Sequence, residues 1–284
     1  VNVMQQTFSN ILIPVDFTQN TEVAIARALD VVDKSGGTLH LLHVQQLLWR
    51  QNAAANKQMA QKLATWKGLL EESTPGVTVH SILKWATNVQ KSIVATAAAV
   101  NADLIVIGKR TPHKWPRLIG AVNPSKLAAT SGIPVLTARP GSLHQPIKTI
   151  VVPVSDSLPE TKMQTLTALC GRLRPMVHLV AFGSGAAISK KATNTLLHLY
   201  EWVQKSLLCP VEFTLLEGKP GAKQLLRFAA RIDADLVLVY PENETGLDFW
   251  NRPIQDALPA HSKVEVLAVR RPIITTTEKQ QHYE

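Results

Sequence analysis

The sequence predicts an α/β protein built from two tandem, doubly wound, five-stranded parallel-sheet units of the Rossmann-like type. Three observations predict this fold. Short β-branched runs alternate with amphipathic helical stretches, the pattern of a parallel sheet covered by helices on both faces. That alternation occurs twice in the same order. The chain has 284 residues, and about 150 residues per domain leaves room for two such units.

The repeat is legible residue by residue. Ile11 to Val15 (ILIPV) recurs as Ile150 to Val154 (IVVPV), and Leu39 to Val44 (LHLLHV) recurs as Val177 to Phe182 (VHLVAF). Asp103 to Ile107 (DLIVI) recurs as Asp235 to Val239 (DLVLV). Val135-Leu136 followed by Arg139-Pro140 recurs as Val266-Leu267 followed by Arg271-Pro272. The offset drifts from 139 at the first match to 131 at the last without breaking order. The expected units are residues 1–140 and 147–273, joined by a Gly/Ser/Pro-containing linker at 141–146 and followed by a tail at 274–284.

In the first unit the expected strands are 11–15, 38–44, 77–83, 103–107 and 133–138. Ile25, Ala28, Leu29 and Val32 keep helical spacing, and Gly36-Gly37 is the expected stop. Met59, Leu63, Trp66 and Leu70 form a second apolar stripe, and Val89, Ile93, Ala97 and Val100 a third. Asn123-Pro124 reads as an N-cap with proline at the first turn, and Gly132 with Pro134 as the end of that helix. In the second unit Ser157 and Glu160 have capping-box spacing.

Composition bounds the function. The chain is 45% apolar and 18% charged, enough to bury a core, and no run approaches the ~18 apolar residues of a membrane span. Two cysteines, Cys170 and Cys209, exclude a disulfide framework and a four-cysteine zinc site. Val1 to Ser9 lacks the basic-then-apolar order of a signal peptide, and a reducing cytoplasm is the expected location. The net charge of +9 is spread along the chain rather than clustered, so it reads as a solvated basic surface rather than a nucleic-acid interface.

Doubly wound sheets bind ligands at the carboxyl ends of their strands. The first strand ends in Pro14-Val15-Asp16, and a carboxylate there can accept a hydrogen bond from an amino group such as that of adenine. Asp16 can equally serve the helix that begins near Thr18. The fourth strand runs into Gly108-Lys109-Arg110, and Gly120-Ala121-Val122-Asn123 leads into the next helix. Glycine permits close backbone approach to a phosphate, and the amides of Ala121 to Asn123 would point out of a helix N-terminus, an anion site. The same two glycines also suit ordinary turns.

NILIPVDF at 10–17, LHLLHV at 39–44, ADLIVIGKR at 102–110, LIGAVNPSKLA at 118–128 and GIPVLTARP at 132–140 together resemble the universal stress protein family. TIVVPVSD at 149–156, VHLVAF at 177–182, EGKP at 217–220 and ADLVLVY at 234–240 extend the resemblance to a tandem member. It implies a stress-response or regulatory role and, in some members, ATP. It also implies self-pairing of the last strand: between Pro134–Ala138 and Val264–Val269 within one chain, giving a pseudo-dimer, or between two chains as a homodimer. In nucleotide-binding members the phosphate loop reads Gly, two residues, Gly, nine residues, Gly, then Ser or Thr. By that pattern Asp16 matches the adenine-side aspartate and Val44 the residue whose backbone lies near the base. Gly108 and Gly120 match the outer glycines, but Thr111 replaces the middle one, the loop is one residue short, and Ala121 replaces the hydroxyl. In the second unit Ser155 replaces the aspartate, and Tyr240-Pro241-Glu242-Asn243 replaces the glycine loop.

The expected cofactor is therefore an adenine nucleotide such as ATP in the first unit only, on Pro14, Val15, Asp16, Val44, Gly108, Lys109, Arg110, Gly120, Ala121, Val122 and Asn123. Metal ligands and catalytic residues are not expected. His40 and His43, three apart in a strand, point to opposite faces, and neither cysteine is activated by its neighbours. The leading expectation is a non-enzymatic regulatory module with an unidentified protein partner. The alternatives are a slow adenine-nucleotide hydrolase or ATP-dependent switch, and a protein- or nucleic-acid-interaction scaffold without nucleotide.

Overall fold

The computed structural model describes residues 7–46, 53–108, 122–143, 145–155, 160–183, 190–218, 221–240 and 262–270. The first half contains β1 (Asn10–Pro14), α1 (Gln19–Val31), β2 (Thr38–Gln46), α2 (Ala53–Ser73), β3 (Thr78–Ala86), α3 (Val89–Ala99), β4 (Leu104–Gly108), α4 (Pro124–Ser131) and β5 (Val135–Ala138). The second contains β6 (Thr149–Val154), α5 (Glu160–Leu173), β7 (Met176–Gly183), α6 (Lys190–Trp202), β8 (Val211–Glu217), α7 (Ala222–Arg231), β9 (Leu236–Val239) and β10 (Glu265–Ala268). The strands form one ten-stranded sheet in the order β3-β2-β1-β4-β5-β10-β9-β6-β7-β8.

The order reads the same from either edge. Within each half every pair is parallel, and β1 meets β4 in the register in which β6 meets β9: Ile11 and Ile150 oppose Leu104 and Leu236. Each half also uses the same fastening. Asp103 Oδ2 accepts from the amides of Ser9 and Asn10 at 2.7 and 3.0 Å. Asp235 Oδ2 accepts from those of Lys148 and Thr149 at 2.8 and 3.0 Å.

Several boundaries differ from the sequence-based expectation. Helix α1 stops at Val31, not at the glycine pair, because Val32 is extended and bridges to Phe8. Gly37 serves the turn that follows, where a Cβ would lie 2.4 Å from the Asp33 carbonyl oxygen. Strand β3 continues past 83 to Ala86 because its partner β2 continues to Gln46. Strand β5 starts at Val135 because Pro134 has no amide to give, although its carbonyl accepts from Ile105 at 2.9 Å. The Asn123 cap forms as expected, its Oδ1 accepting from the Lys126 amide at 3.0 Å, and Gly132 closes α4 with φ of 72°. The capping-box serine, Ser157, lies outside the described residues.

The two halves are joined at two levels. Strands β5 and β10 pair antiparallel, with Leu136 opposite Leu267. On one face of the sheet a single apolar core runs through both halves, including Ile25 and Leu63 from the first and Leu166 and Leu199 from the second. Beneath the junction lies a buried polar cluster. Arg27 Nε sits 2.7 Å from Glu265 Oε2, with both side chains almost fully buried. Arg27 also donates to the carbonyls of Ser142 and Gln145 at 3.1 and 3.0 Å, and pairs with Asp30 at 2.8 Å. Glu265 Oε1 accepts from the Ser142 hydroxyl and, at 3.4 Å, from the Arg139 amide. Burial pushes the Glu265 carboxyl above the usual carboxylate range, while the Arg27 charge pulls it back down. The connection between the halves is thus held at Ser142 and Gln145 by the buried pair. Pro134 holds the position equivalent to Glu265 in the first half, so the ion pair has no symmetry mate.

Candidate functional site

The strand order reverses direction at β1 and β4, and the crevice of a doubly wound sheet lies there, beyond the strand ends. Val15 leaves β1 with its amide still bonded to the Leu42 carbonyl at 2.8 Å. Asp16 follows. Its Oδ1 accepts from the Thr18 amide at 3.0 Å, the Thr18 hydroxyl at 2.6 Å and the Thr21 hydroxyl at 2.8 Å. Thr18 in turn is the N-cap of α1. The helix-start expectation for Asp16 is met. One oxygen organises the helix start, and Oδ2 has no bond among the described residues.

Phe17 adopts φ of 59°, a left-handed conformation unusual for an aromatic residue and recurrent at functional turns. Its ring lies 4.8 Å from that of His43, and Lys62 reaches over it at 5.5 Å. His43 Nδ1 lies 2.9 Å from the Val15 carbonyl oxygen, which fixes the proton on Nδ1 and leaves Nε2 as an acceptor. These three residues border the predicted adenine end, yet the sequence reading did not select them. The signal available was position alone: Phe17 directly follows Asp16, and His43 directly precedes Val44. Val44 is buried, and its backbone runs in the β2–β3 ladder opposite Lys84.

Gly108 ends β4 against the start of α1. A Cβ on it would sit 1.9 Å from the Asn20 carbonyl oxygen. Its first demand is therefore helix packing, and the absence of a side chain also leaves the strand end open. Val122 packs into the core under α3 and α4, and the Asn123 amide donates to Gln90 Oε1 at 3.4 Å. Lys109, Arg110, Gly120 and Ala121 lie outside the described residues, as does Thr111.

The equivalent strand end in the second half carries different side chains. Tyr240 stands where Gly108 stands, and it is buried. Lys162, also buried, donates from Nζ to the Pro153 carbonyl at 2.7 Å and lies 4.6 Å from the Tyr240 ring centre. The Thr161 hydroxyl donates to the Arg270 carbonyl at 2.8 Å and lies 2.9 Å from the Tyr240 hydroxyl. These contacts pack Thr161 and Lys162 of α5 against the end of β9. Glu242 and Glu244 lie outside the described residues.

Residues 7–139 match the Usp family, described as the universal stress protein family. Those residues form a universal stress protein domain. No curated protein matches the chain. Three solved structures show the fold at full length. A universal stress protein from Archaeoglobus fulgidus DSM 4304 aligns at 13% identity and TM-score 0.68 over 93% of this chain and 97% of its own. A putative universal stress protein from Pseudomonas aeruginosa UCBPP-PA14 aligns at 19% identity and TM-score 0.53 over 95% of each. The cytoplasmic domain of a prokaryotic cation chloride cotransporter aligns at 15% identity and TM-score 0.55 over 93% and 95%. At these identities the likeness is one of fold. No helix among the described residues is long and apolar enough to cross a membrane.

The histidines divide by face as their spacing predicts. His43 lies at the crevice, while His40 stacks on His80 at 5.3 Å on the other side of the sheet. Burial lowers the pKa of His40, His43 and His178. All three are therefore neutral in the native protein at a pH where the unfolded chain begins to protonate. Their contribution to stability is full above the ordinary histidine pKa of about 6.5 and is lost as pH falls below it. Thermal melts from pH 7.5 to 5.5 are expected to show a falling midpoint, with a shallower slope in His43→Gln. A flat midpoint would contradict the assignment.

Proposed function

We propose that the whole chain is a two-lobed universal stress protein that regulates without catalysing. Its first half keeps the adenine end of a nucleotide crevice, and its second half has none. The observation that carries this reading is the contrast at equivalent strand ends: Gly108 in one half, Tyr240 under the Lys162 ammonium in the other. Asp16 Oδ2 would accept from the adenine amine, and the backbone of Pro14, Val15 and Val44 would border the base. Gly108, Lys109, Arg110, Gly120 and the amides of Ala121, Val122 and Asn123 would serve the phosphates. Thr111 and Ala121 depart from the family's loop, and each lost hydrogen bond to a charged group weakens binding by about 1.5–3 kcal/mol. Binding is thus expected to be weak and dominated by the base.

The case against catalysis lies in the crevice's own side chains. Asp16, the carboxylate found there among the described residues, has an oxygen committed to three bonds within its own turn. No second acid or base stands beside it at hydrogen-bonding distance among the described residues. The reading places the protein in the cytoplasm, with a protein partner that senses the crevice.

Equilibrium binding of labelled ATP, with and without magnesium, tests this reading on wild type and Asp16→Ala. Binding at high micromolar to millimolar ATP, weakened about tenfold or more by the substitution and unaccompanied by phosphate release, is the expected result. Phosphate release that Asp16→Ala removes would instead favour the hydrolase. Binding indifferent to Asp16 would remove the crevice from the account.

A further inference from the structure

The second half ends the sheet differently from the first. Strand β8 is the last in the ten-strand order and pairs only with β7 among the described residues, so its outer edge carries unpaired amides and carbonyls. An edge of this kind is normally blunted with lysine or proline. The opposite edge, β3, carries a lysine: Lys84 donates to Thr96 Oγ1 at 2.9 Å. In β8 the equivalent residue is Leu216, which lines a groove of about 230 Å³ with Glu217, Gln224, Arg227, Phe228 and Arg231.

The two faces of β8 differ in character. Toward α6 it presents Phe213 and Leu215, 50% and 44% exposed, with the Phe213 ring 5.9 Å from that of Tyr200. Toward α7 it presents Glu212, Thr214 and Leu216. Glu212 is 63% exposed and 3.5 Å from His178.

We propose that two copies of the chain associate through β8, edge to edge and antiparallel, about a twofold axis at Thr214. The observation that selects a second copy over another partner is that β8 complements itself in this register. A twofold normal to the sheet keeps each face on its own side. Phe213 then lies opposite Leu215 of the second copy, and Leu215 opposite its Phe213, giving two apolar cross-strand pairs on the α6 face. On the α7 face Leu216 lies opposite Glu212 of the second copy. That carboxylate enters the groove between Arg227 and Arg231, and the reciprocal contact repeats across the axis. Backbone bonds hold the strands, the apolar pairs exclude water, and the charges set the register. The inference is independent of the nucleotide reading.

Sedimentation equilibrium of the full chain at low salt, up to ~100 µM, tests it. The expected mass is twice 31.1 kDa at the upper concentrations. Leu215→Lys is expected to raise the dissociation constant about tenfold or more. Glu212→Arg alone is expected to do the same by meeting two arginines. Glu212→Arg combined with Arg227→Glu and Arg231→Glu is expected to restore the dimer. Circular dichroism on each variant separates lost association from lost folding. A wild-type mass of 31.1 kDa throughout would overturn the proposal. So would a dimer that a folded Leu215→Lys variant leaves unchanged.

Discussion

Arg27→Met is expected to destabilise the protein by about 3–5 kcal/mol, because it leaves the Glu265 carboxylate buried without its counter-ion. Glu265→Leu should cost a similar amount for the mirror reason, and it also releases the Ser142 hydroxyl and the Arg139 amide. The double variant should be no worse than either single one, since the desolvation penalty disappears with both charges. This non-additivity is the signature of a coupled buried pair. The effect should register as loss of cooperation between the halves as well as loss of stability, because Arg27 belongs to the first half and Glu265 to the second. Urea unfolding followed by tryptophan fluorescence measures it. Strictly additive costs would show that the two side chains act separately.

Gly108→Ala is the second large effect. The added Cβ would meet the Asn20 backbone at 1.9 to 2.9 Å, and backbone cannot yield as a flexible side chain does. Helix α1 must then move off β4, at a cost of about 3 kcal/mol. Gly171→Ala in α5 is the control. A Cβ there has nothing within 4 Å, and the change should be neutral or stabilising by up to about 1 kcal/mol. Equal urea midpoints for the two variants would contradict the packing argument. A residue that looks like the start of a phosphate loop is thus required first by the fold.

The parallel sheet and the order of elements were legible because burial on both faces leaves near-continuous apolar strands such as Leu104 to Ile107, which periodicity detects. The repeat was legible because the same registers must be satisfied twice. Element ends were less so. Val32 ends α1 through a bridge to Phe8, a contact between residues that no local pattern links. The junction was legible only in part: the last strands could be matched, but Arg27 and Glu265 lie far apart in sequence and each looks like an ordinary surface charge. At the crevice, Asp16 and Gly108 were found by position after strands, while His43, Phe17 and Lys62 meet there only through folding. At the second half's strand end the sequence shows only that the glycine is missing. The packing found there, Lys162 lying over Tyr240, combines a helix residue with a strand end and has no sequence signature.

The most direct test of a single crevice, open in one half and closed in the other, is nuclear magnetic resonance mapping with adenosine and ATP on the intact chain. The account predicts shifts confined to residues at the ends of β1, β2 and β4, centred on Asp16, His43 and Gly108. Adenosine and ATP should give similar patterns and affinities within about tenfold of each other. Perturbation around Pro153, Lys162 and Tyr240, or two nucleotides bound per chain, would contradict it.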